Sequence, residues 1–312
     1  MIRNLLTIST SQFRDVVASI PSPPSNGLDV GPFTFNYYGL SIGIGVVVAV
    51  IMGQRRWTRR GGHPDDIPEI AKWAVPAGVI GARVYHVITD WRPIGEWLKI
   101  WEGGLGIPGG LIGGIGVGYL VARRRLAGTD NDLGNILDAA IPGIPVAQAI
   151  GRLGNWFNQE IFGGPTDLPW AVEIDEVHRP AEYLDEATFH PAFLYEAAWN
   201  LALAGFLVWI DRRGVLKRGM ILPLYVVGYG LGRLLVETVR IDAATEILGI
   251  RVNHWMSGAA IAAGTAVLLF AFRNARPSFW ATAGGSESAN SGASPDESSE
   301  RTAAENDEST KA

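Results

Sequence analysis

A chain of 312 residues, 47% hydrophobic, with 39 glycines, a formal charge of −5 and no cysteine, has no means to form a disulfide, a thiolate-bound metal site or a nucleophilic thiol of its own. Its charge offers no basic surplus for nucleic acid. The mean hydropathy of +0.15 averages two populations. Apolar runs of about 20 residues recur between positions 33 and 273, each enough for a helix to cross a hydrocarbon core of ~30 Å. After them comes a segment rich in Ser, Ala, Gly, Glu and Asp.

Residues 1–32 form an extracytoplasmic N-terminal segment in this reading. They lack the apolar core of a signal peptide, and Pro21-Ser22-Pro23-Pro24 has the composition of a linker. Seven apolar runs follow, near 33–53, 70–89, 104–122, 135–154, 190–210, 219–237 and 255–272, so an all-α integral membrane protein with seven transmembrane helices over 33–273 is expected. The loops alternate in basic content. Arg55, Arg56, Arg59 and Arg60 follow the first run, Arg123, Arg124 and Arg125 the third, Arg212, Arg213, Lys217 and Arg218 the fifth, and Arg273 and Arg276 the seventh. Basic loops stay in the cytoplasm, which places the N-terminus outside and the C-terminus inside. Residues 155–189 then make a small extracytoplasmic head, in which the Thr166-Asp167-Leu168-Pro169 turn and the mixed run 170–177 are expected to include short strands. Residues 274–312 read as a disordered acidic cytoplasmic tail. From Pro277 onward seven acids (Glu287, Asp296, Glu297, Glu300, Glu305, Asp307, Glu308) stand against Arg301 and Lys311, a sum of −5 that leaves the rest of the chain near neutral.

Within the third run, Gly106, Gly110, Gly114 and Gly118 recur every four residues beside Gly109 and Gly113, a small-residue face for close helix packing. Prolines at 76, 108, 142, 145, 191 and 223 predict bends or broken turns, with Pro108 also able to open a cavity near the outer end.

The proposed orientation gathers polar residues from different helices at the outer boundary: Tyr38, Arg83, His86, Arg152, Asn155, His190, Tyr195, Glu196, Arg233, Glu237, Arg240 and His254. Ionisable groups there are costly unless they face a protein interior or a wet cavity, so the cluster is a site hypothesis in itself. Arg152 and Arg233 are permanently charged forks suited to gripping a phosphate, and with Arg240 they form a cationic excess that favours an anionic ligand. Structural roles compete. Glu237 follows Arg233 by four residues and can bridge it; Asn155 and Asn158 can satisfy carbonyls at a helix end or bind lipid hydroxyls; Glu160 can bridge an arginine or position a ligand. His86, His190 and His254 are more often packed structural groups than bases at such positions, and His63 and His178 receive no role. Ser257 stands three residues from His254 without a third partner, and no HExxH or GxSxG motif occurs, so no metal and no cofactor are expected.

The stretch Gly151-Arg152-Leu153-Gly154-Asn155-Trp156-Phe157-Asn158-Gln159-Glu160-Ile161-Phe162-Gly163 resembles the signature of the prolipoprotein diacylglyceryl transferases. Tyr38-Gly39, Gly109-Gly110-Leu111-Ile112-Gly113, His190-Pro191, Tyr195-Glu196, Tyr229-Gly230, Arg233, Glu237 and Arg240 extend the resemblance over most of residues 30–273. It implies transfer of a diacylglyceryl group from phosphatidylglycerol to the lipobox cysteine of a prolipoprotein signal peptide, forming a thioether and releasing glycerol phosphate. A chain without cysteine suits a reaction whose thiol arrives with the acceptor. The resemblance gives Arg152 and Arg233 the catalytic role, binding the phosphate and stabilising the leaving group. Tyr38, Asn155, Asn158, Glu160 and Gly163 shape the headgroup pocket, and Glu237 and Arg240 hold the arginine geometry. It also implies a multi-pass protein of the bacterial plasma (inner) membrane, in contact with membrane lipids, with its site on the extracytoplasmic side. Many relatives carry histidine just before the Gly-Gly-Leu of the third run; Pro108 stands there in this chain, so no base is assigned to that position. The alternative is a membrane transporter or lipid-binding protein with an outward-facing anionic-ligand site. Transporter sites lie near the midplane between repeats, whereas the polar set here is skewed outward and no repeat is found. A noncatalytic packing protein would explain the glycine face but not that polar set.

Overall fold

The computed structural model describes residues 19–31, 33–90, 104–242, 244–271 and 276–281. The chain enters through a small antiparallel hairpin, β1 (Gly27–Val30) and β2 (Phe33–Asn36), with Gly27 opposite Asn36 and Val30 opposite Phe33. Asn36 then starts the first helix, its side-chain oxygen accepting the Tyr38 amide at 2.7 Å, which satisfies one of the free N–H groups of the opening turn. The expected first span therefore begins later than position 33. Helix α1 (Tyr37–Thr58) is followed by α2 (Asp66–Thr89), α3 (Ile107–Leu126), α4 (Leu133–Ala140) and α5 (Gly143–Phe157). Past the head come α6 (Ala192–Arg212), α7 (Ile221–Glu237), a tight hairpin of β5 (Glu246–Ile247) with β6 (Ile250–Arg251), and α8 (Val252–Ala271). The head carries the two-residue strands β3 (Val172–Glu173) and β4 (Thr188–Phe189), paired antiparallel, so the mixed run after Pro169 does contain a strand.

Small residues decide which helices meet. Gly109, Gly110, Gly113 and Gly114 of α3 lie against the backbone of Ala74, Ala77, Gly78 and Gly81 on α2, the close-packed face expected from their spacing. Helix α1 approaches α5 in the same way at two levels. A β-carbon added to Gly45 would sit 2.8 Å from the Ala147 carbonyl oxygen, and one added to Gly143 would sit 2.9 Å from that of Ala49. Pro108 falls in the first turn of α3, where no helical hydrogen bond is lost, so it neither bends the helix nor disrupts its ladder.

The expected span 135–154 is one apolar passage built from two helices, broken at Ile141 and Pro142. Pro142 has no N–H to give the carbonyl four residues earlier, at Asp138. Arg56 of α1 supplies the donors instead, to the Asp138 carbonyl at 2.9 Å and the Ala139 carbonyl at 3.0 Å. The Asp138 carboxylate in turn accepts the backbone N–H groups of Gly219 and Ile221 at the start of α7, at 2.8 and 3.1 Å.

Large apolar side chains face outward along the helices, with Ile112 74% and Phe270 77% exposed, a surface suited to hydrocarbon rather than water. Among the described residues, three helical stretches are long and apolar enough to cross a membrane: Tyr37–Thr58, Leu133–Phe157 and Ala192–Arg212. The other four expected spans coincide with α2, α3, α7 and α8. The head has a core of its own, where Phe162, Val172, Ile174, Phe189 and Phe193 are buried together with Ile20 packed on them. At ~1.5–3 kcal/mol for each large apolar side chain, this cluster fixes the segment between α5 and α6 over the C-terminal end of α5 and the N-terminal end of α6. At the opposite end, residues 276–281, within the segment expected to be a tail, are docked. The Trp280 indole donates to Asp211 at 3.2 Å and the Ser278 hydroxyl to the Gly214 carbonyl at 3.0 Å. The expected disorder of 282–312, the connection 91–103 and Arg273 lie outside the described residues.

Candidate active site

Arg152 and Asn155 sit three residues apart on the last turns of α5 and so share a face. One arm of the Arg152 guanidinium donates to the Asn155 side-chain oxygen at 3.3 Å, and the other is ion-paired with Glu196 of α6. Asn155 is buried, and its amide donates to Glu160 at 2.8 Å; Asn158 donates to the same carboxylate oxygen at 3.2 Å. Glu160 reaches both asparagines because the chain turns sharply past α5. Gln159 and Ile161, on either side of it, hold φ of +50° and +56°. Left-handed backbone is rare for a β-branched residue and costs of order 1–3 kcal/mol. The Gln159 amide helps to hold the turn, donating to Asp175 at 2.6 Å and accepting its backbone N–H at 2.7 Å. Hydrogen bonds from Gln159 and then Ser22 hold the Asp175 carboxyl below its ordinary pKa.

Glu196 is the junction. Its second oxygen takes Arg233 of α7 at 3.4 Å, so one buried carboxylate holds arginines from two other helices. Arg233 continues to Glu237 at 3.2 Å, one turn along α7, as the i,i+4 spacing allows. Glu237, fully buried, also pairs with Arg251 at 2.8 Å and accepts from the Asn253 amide at 3.0 Å. Arg240 lies 3.9 Å from Glu237 and makes a fork-to-fork pair with Asp242 at 2.6 Å on both arms. Burial raises the Asp242 pKa, but the hydrogen bonds and charge of Arg240 outweigh it and hold the carboxyl below its ordinary value. The network is thus continuous from Asn158 to Asp242. Arg152, Arg233, Arg240 and Arg251 number four, and so do Glu160, Glu196, Glu237 and Asp242; the expected cationic excess is balanced by carboxylates within the network.

The remaining expected residues are placed differently. Tyr38 packs on Gly154, where an added β-carbon would lie 2.6 Å from its ring, and it lines a cleft of about 460 Å³ between α1, α2 and α5. Ile42, Val46 and Val75 give that cleft an apolar wall, and Arg152 and Asn155 line it as well. Gly163 is closely packed: a β-carbon there would meet the Val239 carbonyl oxygen at 2.6 Å, and the residue bridges Arg240 in backbone pairing. Asn158 and Glu160 line a second, polar cleft of about 450 Å³ under the head. Of the histidines, the His190 ring meets the Tyr195 hydroxyl at 3.1 Å, His86 pairs with Asp90 at 3.3 Å, and the His254 ring carries a buried nitrogen, Nδ1, without a hydrogen-bond partner among the described residues.

Sequence reasoning gave Glu196 no role, although it stood in the Tyr195-Glu196 motif, and it overlooked Arg251, Asp242 and Asn253 altogether. The polar run Arg251-Val252-Asn253-His254 at the N-terminal end of the last helix was the available signal. Asn200, one turn below Glu196, was missed as well; it is buried, and both its amide atoms lack a hydrogen-bond partner among the described residues.

A family model described as prolipoprotein diacylglyceryl transferase matches residues 26–270. The chain belongs to the prolipoprotein diacylglyceryl transferase family. Proteins named phosphatidylglycerol–prolipoprotein diacylglyceryl transferase are similar to it at high identity. One from Frankia alni is 48% identical over 83% of this chain and 68% of its own length. One from Cutibacterium acnes is 47% identical, over 80% and 86% respectively. One from Streptomyces coelicolor, numbered 2 in its name, is 45% identical over 77% of each chain. The family match takes in the whole network from Arg152 to Asn253 and ends short of the docked residues 276–281.

Proposed function

We propose that this chain transfers an sn-1,2-diacylglyceryl group from phosphatidylglycerol to the lipobox cysteine of a prolipoprotein, in the plasma membrane of a bacterium. The observation that carries the assignment is the pairing of Arg152 and Arg233, from two helices, on one buried carboxylate at the outer end of the bundle. Such a pair is preorganised, so its donors need no rearrangement as charge develops. The bundle crosses the membrane seven times, with the N-terminus outside and residues 155–189 as an extracytoplasmic head; the alternation of basic loops supports that orientation.

The acceptor thiol loses its proton to solvent, a loss that nearby guanidinium charge favours. The thiolate then attacks the glyceryl carbon bearing the phosphate. A C–S bond forms, the C–O bond breaks, and glycerol phosphate leaves with the electron pair. Arg152 and Arg233 bind the phosphate and stabilise the charge it gains; Glu196 and Glu237 hold them in position, and Asn155 and Glu160 orient the headgroup. The apolar wall of the Tyr38 cleft suits an acyl chain, with Arg152 placed where the phosphate would follow. The test is direct. Purified protein in detergent with phosphatidylglycerol and a lipobox peptide should add a diacylglyceryl mass to the cysteine peptide and none to its serine counterpart. Folded, lipid-bound protein that leaves the cysteine peptide unchanged would overturn the assignment.

A further inference from the structure

The inner ends of α1 and α6 both reach the α4–α5 passage but leave a groove between themselves. Val48, Ile51, Met52 and Val208 line its apolar part, and Arg55, Arg59 and Arg212 line its mouth, in a cleft of about 480 Å³. A second cleft of about 300 Å³ continues it past Arg56 and Arg60 to the Trp280 indole. Five arginines thus face one connected space, and Asp211 is the carboxylate paired among them, a local balance of 5 − 1 = +4. Arg56 and Arg60 are buried and committed to Asp211 and to backbone or Asn135. Arg55, Arg59 and Arg212 are exposed, with no ion pair among the described residues. The groove therefore offers an apolar slot beside three uncommitted guanidinium groups.

We propose that this groove binds the phosphate of an anionic phospholipid of the inner leaflet, with an acyl chain lying along Val48, Ile51 and Met52. The site stands apart from the outer network and takes no part in the transfer. Phosphate chemistry matches the guanidinium forks, and a basic pocket between helices at the cytoplasmic boundary is a general setting for acidic headgroups. The apolar wall selects a lipid over a free phosphate. The orientation proposed above serves only to name the leaflet.

Hydrogen exchange of the full-length protein in nanodiscs tests this, using phosphatidylcholine alone or mixed with phosphatidylserine, which has an acidic headgroup but is not the proposed diacylglyceryl donor. The expected result is slowed exchange over residues 48–60 and 208–213 with phosphatidylserine, by about fivefold for each arginine engaged. The gain should vanish in R55Q/R59Q/R212Q and persist in R123Q/R124Q, which removes basic charge from another loop. Equal loss in both variants would reduce the effect to general surface attraction and overturn the site. Protection by glycerol phosphate in phosphatidylcholine discs, equal to that by phosphatidylserine, would overturn the lipid assignment. Nanodiscs carry the same lipid on both faces, so failure of the orientation leaves the test intact.

Discussion

Two arginine–carboxylate networks occupy opposite ends of the same bundle, and they are built for different work. At one end, Arg56 and Arg60 converge on Asp211 while Arg56 also donates to the Asp138 carbonyl that Pro142 leaves free, and the side chains of Arg60 and Asp211 are 1% and 6% exposed. At the other end, Arg152 and Arg233 converge on Glu196, yet their side chains remain 20% and 15% exposed, and Arg152 borders an open cleft. The ion pairing is similar; the access is not. A guanidinium closed in by its neighbours holds the fold, whereas one left partly open can receive a ligand.

Substitutions should separate the two ends. Asp211→Ala leaves two buried cations unpaired and should cost about 3–5 kcal/mol, read as a clear fall in the thermal midpoint in detergent, with activity per folded molecule kept. Arg152→Ala or Arg233→Ala should do the reverse. Transfer to the lipobox peptide should fall about 10²–10³-fold, the usual loss of a preorganised transition-state donor, while the protein stays folded; near-normal transfer would remove these residues from the chemistry. Glu196→Gln keeps the shape but weakens the hold on both arginines. A drop of about tenfold to 100-fold is expected, mostly in kcat, since misplacement rather than lost binding is the cause; a change in KM alone would contradict a positioning role.

The smallest effect concerns pH. The folded-state pKa of Asp242 is depressed, so its pairing with Arg240 stabilises fully above the unfolded value of ~3.9 and is lost as pH falls through the lower folded value. Asp242→Asn should therefore be less stable than the parent at neutral pH. The two should converge in acid, and a gap that persists there would show that the pair contributes through packing instead of charge.

Much of this comparison was legible in the sequence. Apolar runs located the helices, the four-residue glycine spacing located the α2–α3 contact, and the polar cluster read from the sequence included Arg152, Asn155, Arg233 and Glu237, which the structure joins in one network. What stayed hidden depends on three dimensions. Glu196 looked like any polar residue at a helix start because its partners come from α5 and α7. The basic-loop rule counted Arg56 with Arg55, since it registers charge and not burial. The turn around Glu160 carries no Gly at the two left-handed positions, so it gave no turn signal. Phe279 and Trp280, a single aromatic pair ahead of a polar segment, are too short a run to show the periodicity that would announce docking.

The joint at Pro142 has one more consequence. Carbonyls turned aside from a helix within a membrane resemble the rings by which channels strip water from a permeating cation. Here a tethered cation, the Arg56 guanidinium, already occupies them. The break between α4 and α5 is thereby closed by a side chain of α1, so the corner in the passage is held from a neighbouring helix and not by its own backbone.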